Sequence, residues 1–321
     1  MRNILCVTLI ALLGGCTSTS VTEKYQDKRN DIINVKDKVI EFETGNVLIG
    51  SVSRLYMSNK CLLIADHKSV DKQIHIFNKN DFSYLTSIGN FGEGPEEITV
   101  MGCLAIDEAH HQLYVSDHAK QKIFSYDMDS VMVDSLYKPQ VKTAMNETLF
   151  PSEYQYINDT LSIAVLIKPT STSTFNQFLG RWNMNTGEMI PMKYTHPDIQ
   201  KKRITFAASE KAGIYVECYT RHDLMTICSL DGELLYNIYG PDWDGGNGNK
   251  LQSFGTVMIG NDKIFVSYCG EDYARDSFPT KILVFDLEGN YLKTLETGYK
   301  ISDCCYDSFN NRIILSLNDV V

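Results

Sequence analysis

The chain has 321 residues, 43% hydrophobic and 22% charged, which supplies a substantial core and argues against wholesale disorder. Forty acidic residues against 30 basic give a net charge of −10, so general nucleic-acid binding is disfavoured, because a phosphate backbone selects for excess Lys and Arg. Tyr (18) and Phe (14) bring aromatics to 11%, a usage that suits sheets better than helical bundles.

At the start of the chain, Arg2 precedes an apolar run from Ile4 to Leu13, too short for a permanent membrane span, and the run stops at Leu13-Gly14-Gly15-Cys16. This reads as a secretory signal over residues 1–15. Its last four residues resemble a bacterial lipobox, in which small residues admit a peptidase and the cysteine sulfur carries diacylglycerol. Cys16 is then the lipidated N-terminus of an exported bacterial lipoprotein, placed in the cell envelope on the periplasmic or surface side of a membrane. Without residues 1–15 the charge becomes −11, which anionic headgroups repel, so attachment falls to the acyl chains. Residues 16–34 are polar and lack an apolar stripe, and are expected to form a lipidated tether.

From Val35 to the end, apolar residues come in short β-rich runs. Leu62 to Asp66 leads through a turn to Ile74–Phe77, and Leu113 to Asp117 leads likewise to Ile123–Tyr126. Weaker copies follow around Leu161–Trp182, Gly213–Cys228 and Ile264–Asp286. Phe77, Phe124, Trp182, Ile227 and Phe285 stand 47, 58, 45 and 58 residues apart, the spacing of four-stranded propeller blades with variable loops. A last unit, from Ile301 through Arg312–Leu317, lacks outer strands. Residues 35–321 are therefore expected to be all-β: a six-bladed β-propeller of four-stranded antiparallel blades, with the N-terminal strand Lys38–Phe42 completing the last blade and removing an open edge.

These repeats, the lipobox and the string Gly89-Asn90-Phe91-Gly92-Glu93-Gly94-Pro95-Glu96-Glu97 resemble the TolB-like and NHL-like six-bladed propeller lipoproteins. The string is similar to a Gly-x-Gly-x-Gly-Pro-Gly-Glu signature of that group, although its glycine phase differs and Glu96 replaces a glycine. The resemblance implies a fold more than an activity.

Successive turns of an up-and-down blade alternate between the two ends of the ring. Short turns such as Ser58–Lys60 collect on one face, and the longer connections collect on the other. That loop-rich face is the expected binding surface. Its candidate residues, in chain order, begin with Asp66, His67, Asp117 and His118 at equivalent strand ends, with Glu93 in the glycine string between them. Asp at a strand end also caps turns by accepting backbone N–H bonds. Trp243, flanked by Asp242 and Asp244, offers an apolar plate with acceptors for a sugar or another polar ring. Tyr273 and Arg275 place an aromatic beside a guanidinium able to pair with carboxylate or phosphate, or with a local acid.

The sequence contains no phosphate-binding Gly-x-x-x-x-Gly-Lys-Ser/Thr loop, His-Glu-x-x-His pair or Gly-x-Ser-x-Gly elbow. No catalytic residue is assigned. No cofactor is expected, although a central divalent cation such as Ca2+ stays open. Apart from Cys6 and Cys16, seven cysteines remain; Cys218 and Cys228 flank a hairpin and are candidates to face each other, whereas Cys304 and Cys305 should point to opposite sides. The expectation is a non-catalytic envelope lipoprotein whose loop-rich face binds a protein, peptide or glycan. The alternative is a metal-assisted hydrolase or lyase at the central opening.

Overall fold

The computed structural model describes residues 22–134, 136–246, 251–275 and 277–318. The expected signal peptide, Cys16 and the first part of the tether lie outside the described residues, as do residues 247–249 of the Trp243 loop and Asp276.

Short apolar runs bounded by turns form six sheets, arranged as the blades of a propeller. Blade 1 comprises Ser53–Met57, Cys61–Asp66, Lys72–Asn78 and Tyr84–Asn90; blade 2, Met101–Asp107, Gln112–Asp117, Lys122–Asp127 and Gln140–Ala144. Blade 3 comprises Phe150–Asn158, Leu161–Pro169, Phe175–Trp182 and Met189–Pro191; blade 4, Ile204–Ser209, Ile214–Tyr219, Leu224–Ser229 and Leu234–Tyr239. Blade 5 comprises Leu251–Gly260, Lys263–Asp272, Lys281–Asp286 and Tyr291–Glu296; blade 6 is a pair, Ile301–Asp307 and Arg312–Leu317.

Each middle strand buries both faces, which is why it reads as a continuous apolar run rather than an alternation. Leu63 and Ala65 of blade 1 pack toward blade 2 with Leu104, Leu113, Val115 and Phe124, while Leu62 and Ile64 pack toward blade 6 with Cys305 and Ile314. Every pair of neighbouring blades shares one such apolar cluster, including the pair that closes the ring. Phe77, Phe124, Trp182, Ile227 and Phe285 all sit in third strands and are buried. The periodicity seen in the sequence is thus the radial position of the third strand.

The first strands line the ring axis and are stitched by side chains. Gln155 exchanges hydrogen bonds with the Ala208 backbone (2.8 Å each), Thr205 Oγ1 donates to Gly255 O (2.5 Å), and Thr256 Oγ1 donates to Asp303 (2.6 Å). Asp303 also accepts from Leu55 N (2.7 Å), joining blade 6 to blade 1. At the opposite end of these strands, Asp107 and Asp307 play one part twice. Each accepts from backbone N–H groups two and three residues on, and the turn then passes through a left-handed residue, His111 (φ 52°) or Asn311 (φ 50°).

The N-terminal segment departs from expectation. Its described part is docked rather than free: Glu23–Tyr25 adds a parallel fifth strand to the outer edge of blade 4, and Ile32–Asn34 does the same for blade 5. The reason is chemical. These outer edges present unpaired backbone groups, and a polar sequence without an apolar stripe can still satisfy them through its own main chain. By the time the chain reaches blade 6, Lys38–Phe42 forms no strand. It faces that blade across a cleft of about 1480 Å³, lined by Val39, Ile40 and Phe42 on one side and Ile313, Leu315 and Leu317 on the other. The segment expected to complete the last blade is therefore beside it but unpaired.

Two smaller differences concern local chemistry. The third-to-fourth connection of blade 2 is not a short turn but the helix Met128–Val133, because Asp127 caps it by accepting from Ser130 N (2.7 Å) and Val131 buries against the cluster between blades 1 and 2. Cys218 lies opposite Met225 and Cys228 opposite Tyr215, so that register separates the two thiols, and both are free. Cys304 and Cys305 do enter different clusters, on opposite sides of their strand.

Candidate functional site

The connections from second to third strands and between blades leave from one face of the ring, and all the expected site residues lie on it. Asp66 and Asp117, at the ends of equivalent second strands, are buried and committed to backbone. Asp66 accepts from Gly50 N (2.7 Å) and Lys68 N (2.9 Å). Asp117 accepts from Thr99 N (2.8 Å), Val100 N (3.2 Å), Ala119 N (3.0 Å) and Lys120 N (3.2 Å). Both carboxylates fasten the incoming link to its blade.

His67 and His118 follow them. The His67 Nδ1 bonds to Met101 O (3.2 Å), and the His118 ring meets Phe150 edge-on at 6.0 Å. Burial lowers both imidazole pKa values, with Arg54 adding repulsion, so both rings are neutral at pH 7. Gly102 makes room for this packing, since a Cβ there would lie 2.3 Å from both His118 Nε2 and Ser116 Oγ. Nearer the axis, Arg54 of blade 1 pairs with Glu153 of blade 3 at 2.9 Å, both half exposed. Asp303 is held above the ordinary carboxylate range by burial, against the hydrogen bonds from Thr256 and Leu55. Arg54, Glu153 and Asp303 were not legible as site residues: they lie on different first strands, far apart in sequence.

A second concentration of polar and aromatic groups lies where blades 4 and 5 meet the N-terminal segment. Trp243 is half buried, not a bare plate. It contacts Tyr239 (ring centroids 5.0 Å), His196 (5.6 Å) and His222 (5.9 Å), and His196 Nε2 bonds to the Tyr239 hydroxyl (2.9 Å). Asp244 approaches His222 at 3.8 Å, and burial lowers the pKa of both His196 and His222. Asp242 accepts from Tyr268 Oη (3.3 Å) and donates its backbone N–H to Asp223 (3.3 Å). Under this layer, Arg29 reaches in to pair with fully buried Asp223 at 2.9 Å, its guanidinium lying 5.3 Å from the Tyr268 ring and 5.8 Å from those of Phe254 and Phe285. Burial raises the Asp223 pKa, and Arg29 opposes that shift.

Beside it, the Arg221 guanidinium lies 3.0 Å from the centre of the exposed Tyr273 ring. Arg275 pairs with Glu271 at 3.3 Å, both exposed, and Asp272 caps the turn by accepting from Ala274 N (2.9 Å). Glu93 is exposed in the glycine string. That string is organised by Lys120, whose ammonium donates to Gly94 O (2.7 Å) and Glu97 O (2.5 Å), while Glu97 folds back to accept from Gly94 N (2.8 Å). A Cβ at Gly92 would lie 2.0 Å from the Glu97 carboxylate, so a side chain there would have to move Glu97 off its bond with Gly94 N.

The one group of three metal-type ligands among the described residues, Asp107, His110 and Asp159, lies on the other, short-turn face. There His110 Nδ1 bonds to Asp107 at 2.8 Å and its pKa is raised by that bond, so the trio closes on itself as an ion pair. The structure does not bring Asp107, His110 or Asp159 to the ring axis on the loop-rich side.

Six blades built on a common antiparallel unit, with polar side chains fastening the loops of one face, define the protein as a β-propeller. A family described as 6-bladed beta-propeller, DUF5128, matches residues 17–177, and the chain belongs to that family. Among solved structures, it is similar to a candidate exported protein from Bacteroides fragilis, with 14% identity and a TM-score of 0.53 over 87% of this chain and 80% of the other. It is also similar to a member of the DUF4221 family from Bacteroides vulgatus, with 9% identity and a TM-score of 0.57 over 83% of this chain and 87% of the other. At these identities the likeness concerns the fold. A search among curated proteins finds no match. Among the described residues, no helix is long and apolar enough to cross a membrane.

Proposed function

We propose that the propeller is the non-catalytic binding module of an exported lipoprotein anchored at Cys16, and that it takes a protein, peptide or glycan on its loop-rich face. The observation that carries this reading is how the polar groups of that face are used. Asp66, Asp117 and Asp223 spend their carboxylates on backbone N–H groups and on Arg29, and burial holds His67 and His118 neutral. The groups this face presents to solvent are of recognition type: Tyr273 under Arg221, and the edge of the Trp243 cluster. Trp, Tyr and Arg are the residue types enriched where partner proteins are anchored. The candidate exported protein among the similar structures is consistent with an envelope setting.

The chain has two tryptophans, Trp182, fully buried in blade 3, and Trp243 at the loop-rich face. Envelope extracts and glycan mixtures titrated against the purified protein should change only the Trp243 emission. The change should vanish in Trp243→Phe, and recovery of the partner should fall in an Arg221→Ala, Tyr273→Ala double variant. Unchanged partner recovery by that double variant would remove these loops from the contact surface. A stoichiometric metal whose chelation abolishes hydrolysis of a substrate would favour the metal-assisted alternative instead.

A further inference from the structure

We propose that the groove between the outer parts of blades 1 and 2 binds a small aromatic carboxylic acid, with Lys72 pairing with the carboxylate and the Tyr126 hydroxyl bonding to a polar substituent on the ring. The site stands apart from the Trp243 and Tyr273 loops, which belong to blades 4 and 5, and does not rest on the function proposed above.

The groove has a volume of about 350 Å³. One wall is the end of the outer strand of blade 1, Ile88 to Asn90, continued by Glu96 and Glu97 of the glycine string. The other is the connection after the blade 2 helix, Leu136 to Pro139, together with Tyr126. Both walls are fixed in place. Lys138 pairs with Glu96 at 2.7 Å from one wall to the other, and the Tyr137 hydroxyl accepts from Asp127 N (3.3 Å).

Two polar groups of these walls are left over. Among the described residues the Tyr126 hydroxyl has no hydrogen-bond partner, although the residue is only 1% exposed. A buried hydroxyl costs free energy unless something bonds to it, and native structures rarely leave one unexplained. The Lys72 ammonium likewise has no ion pair or hydrogen bond among the described residues. The other charges of the groove are committed, Glu96 to Lys138 and Glu97 to Gly94 N. A ligand ammonium therefore meets no uncommitted carboxylate, whereas a ligand carboxylate meets Lys72, which can only donate. The second charge of a phosphate would face Glu96 and Glu97 with no second free cation, so a singly charged acid fits better.

Size and walls select a ring. A cavity of about 150 Å³ suffices for benzene, so this groove holds one substituted ring with its acid arm. The Tyr126 and Tyr137 rings lie 6.4 Å apart, tilted by 45°, and Leu136, 81% exposed, is an apolar side chain that a bound ring would cover. Lys72 opens the third strand of blade 1, while Tyr126 is next to last in that of blade 2. The acid-binding group and the hydroxyl thus belong to opposite ends of the groove.

The test titrates the full chain, labelled with fluorotyrosine, with p-hydroxyphenylacetate, phenylacetate and p-hydroxyphenylethylamine, reading fluorine shifts; the Tyr137 signal is identified by its loss in Tyr137→Phe. That signal should move saturably with the hydroxy acid. Phenylacetate should bind about fivefold more weakly than the hydroxy acid to the native protein, and the two acids should bind equally to Tyr126→Phe. Lys72→Met should weaken both acids about tenfold, and the amine should not bind. Without ligand, Tyr126→Phe should keep the native thermal midpoint, because the hydroxyl it removes bonds to nothing in the fold. A lowered midpoint would assign that hydroxyl to the fold and overturn its role in binding. No saturable shift with either acid, affinity that Lys72→Met leaves intact, or an amine that binds as tightly as the acids overturns the site.

Discussion

The Arg29 guanidinium and the Asp223 carboxylate meet at 2.9 Å, 194 residues apart in sequence, with side-chain exposures of 7% and 0%. The pair clamps the N-terminal segment into the seam between blades 4 and 5. Removing only one partner leaves a buried charge without compensation, which costs about 3–5 kcal/mol. Arg29→Met should therefore lower unfolding free energy by roughly that amount. The double variant Arg29→Met, Asp223→Asn should recover part of it. Chemical denaturation of the two variants decides the point, and equal losses in both would show that charge pairing is not what holds the segment.

Acid should destabilise the protein well before its carboxylates titrate. His67, His75, His118, His196 and His222 all have pKa values lowered, chiefly by burial. The unfolded chain takes up these protons first, so stability is complete above about pH 6.5 and declines as the pH falls from there through the lowered values. Asp223 and Asp303, raised by burial, act in the opposite sense between their raised values and the ordinary carboxylate value. Thermal midpoints measured from pH 7.5 down to 5 should fall, and the fall should be shallower in a His67→Gln, His118→Gln variant. A flat profile in the native protein would contradict the neutral-imidazole assignment.

Asp117 accepts four backbone N–H bonds, and Asp66 accepts two. If these carboxylates fasten links to blades, Asp117→Ala should cost more than Asp66→Ala, each within about 1–3 kcal/mol. The Asp117 variant should also speed amide hydrogen exchange at Thr99 and Val100. Slow exchange there would mean that the link is held by something else.

Gly102 admits no side chain without displacing His118 and Ser116. Gly102→Ala should destabilise by about 1–3 kcal/mol through overpacking. His118→Ala in the same chain should relieve the His118 part of the clash and leave that with Ser116, so the two losses should fall short of additive. Strict additivity, measured by a double-mutant cycle, would place the strain elsewhere.

The described thiols are buried, and burial drives those of Cys103 and Cys228 up to about 12 and about 11. All seven should resist a thiol reagent in the native state and react on denaturation. A shortfall of two reactive thiols after denaturation without reductant would reveal a disulfide that the Cys218 and Cys228 register does not permit.

The sequence carried the blade repeat because middle strands bury both faces, which forces apolar residues into runs at a fixed radial position; Phe77, Phe124, Trp182, Ile227 and Phe285 are that position. It also carried the alternation of short and long turns, a property of connectivity alone. The β-prone pattern at Lys38–Phe42 led to an expected strand on the last blade that the structure does not form, because such a pattern says nothing of which edge will accept it. Tertiary structure decided the rest. Edge pairing by Glu23–Tyr25 and Ile32–Asn34 uses main-chain groups that every residue possesses, so no side-chain pattern announces it. The meeting of Arg54 with Glu153, and of Arg29 with Asp223, depends on ring closure, which brings distant residues together at separations that no local spacing encodes.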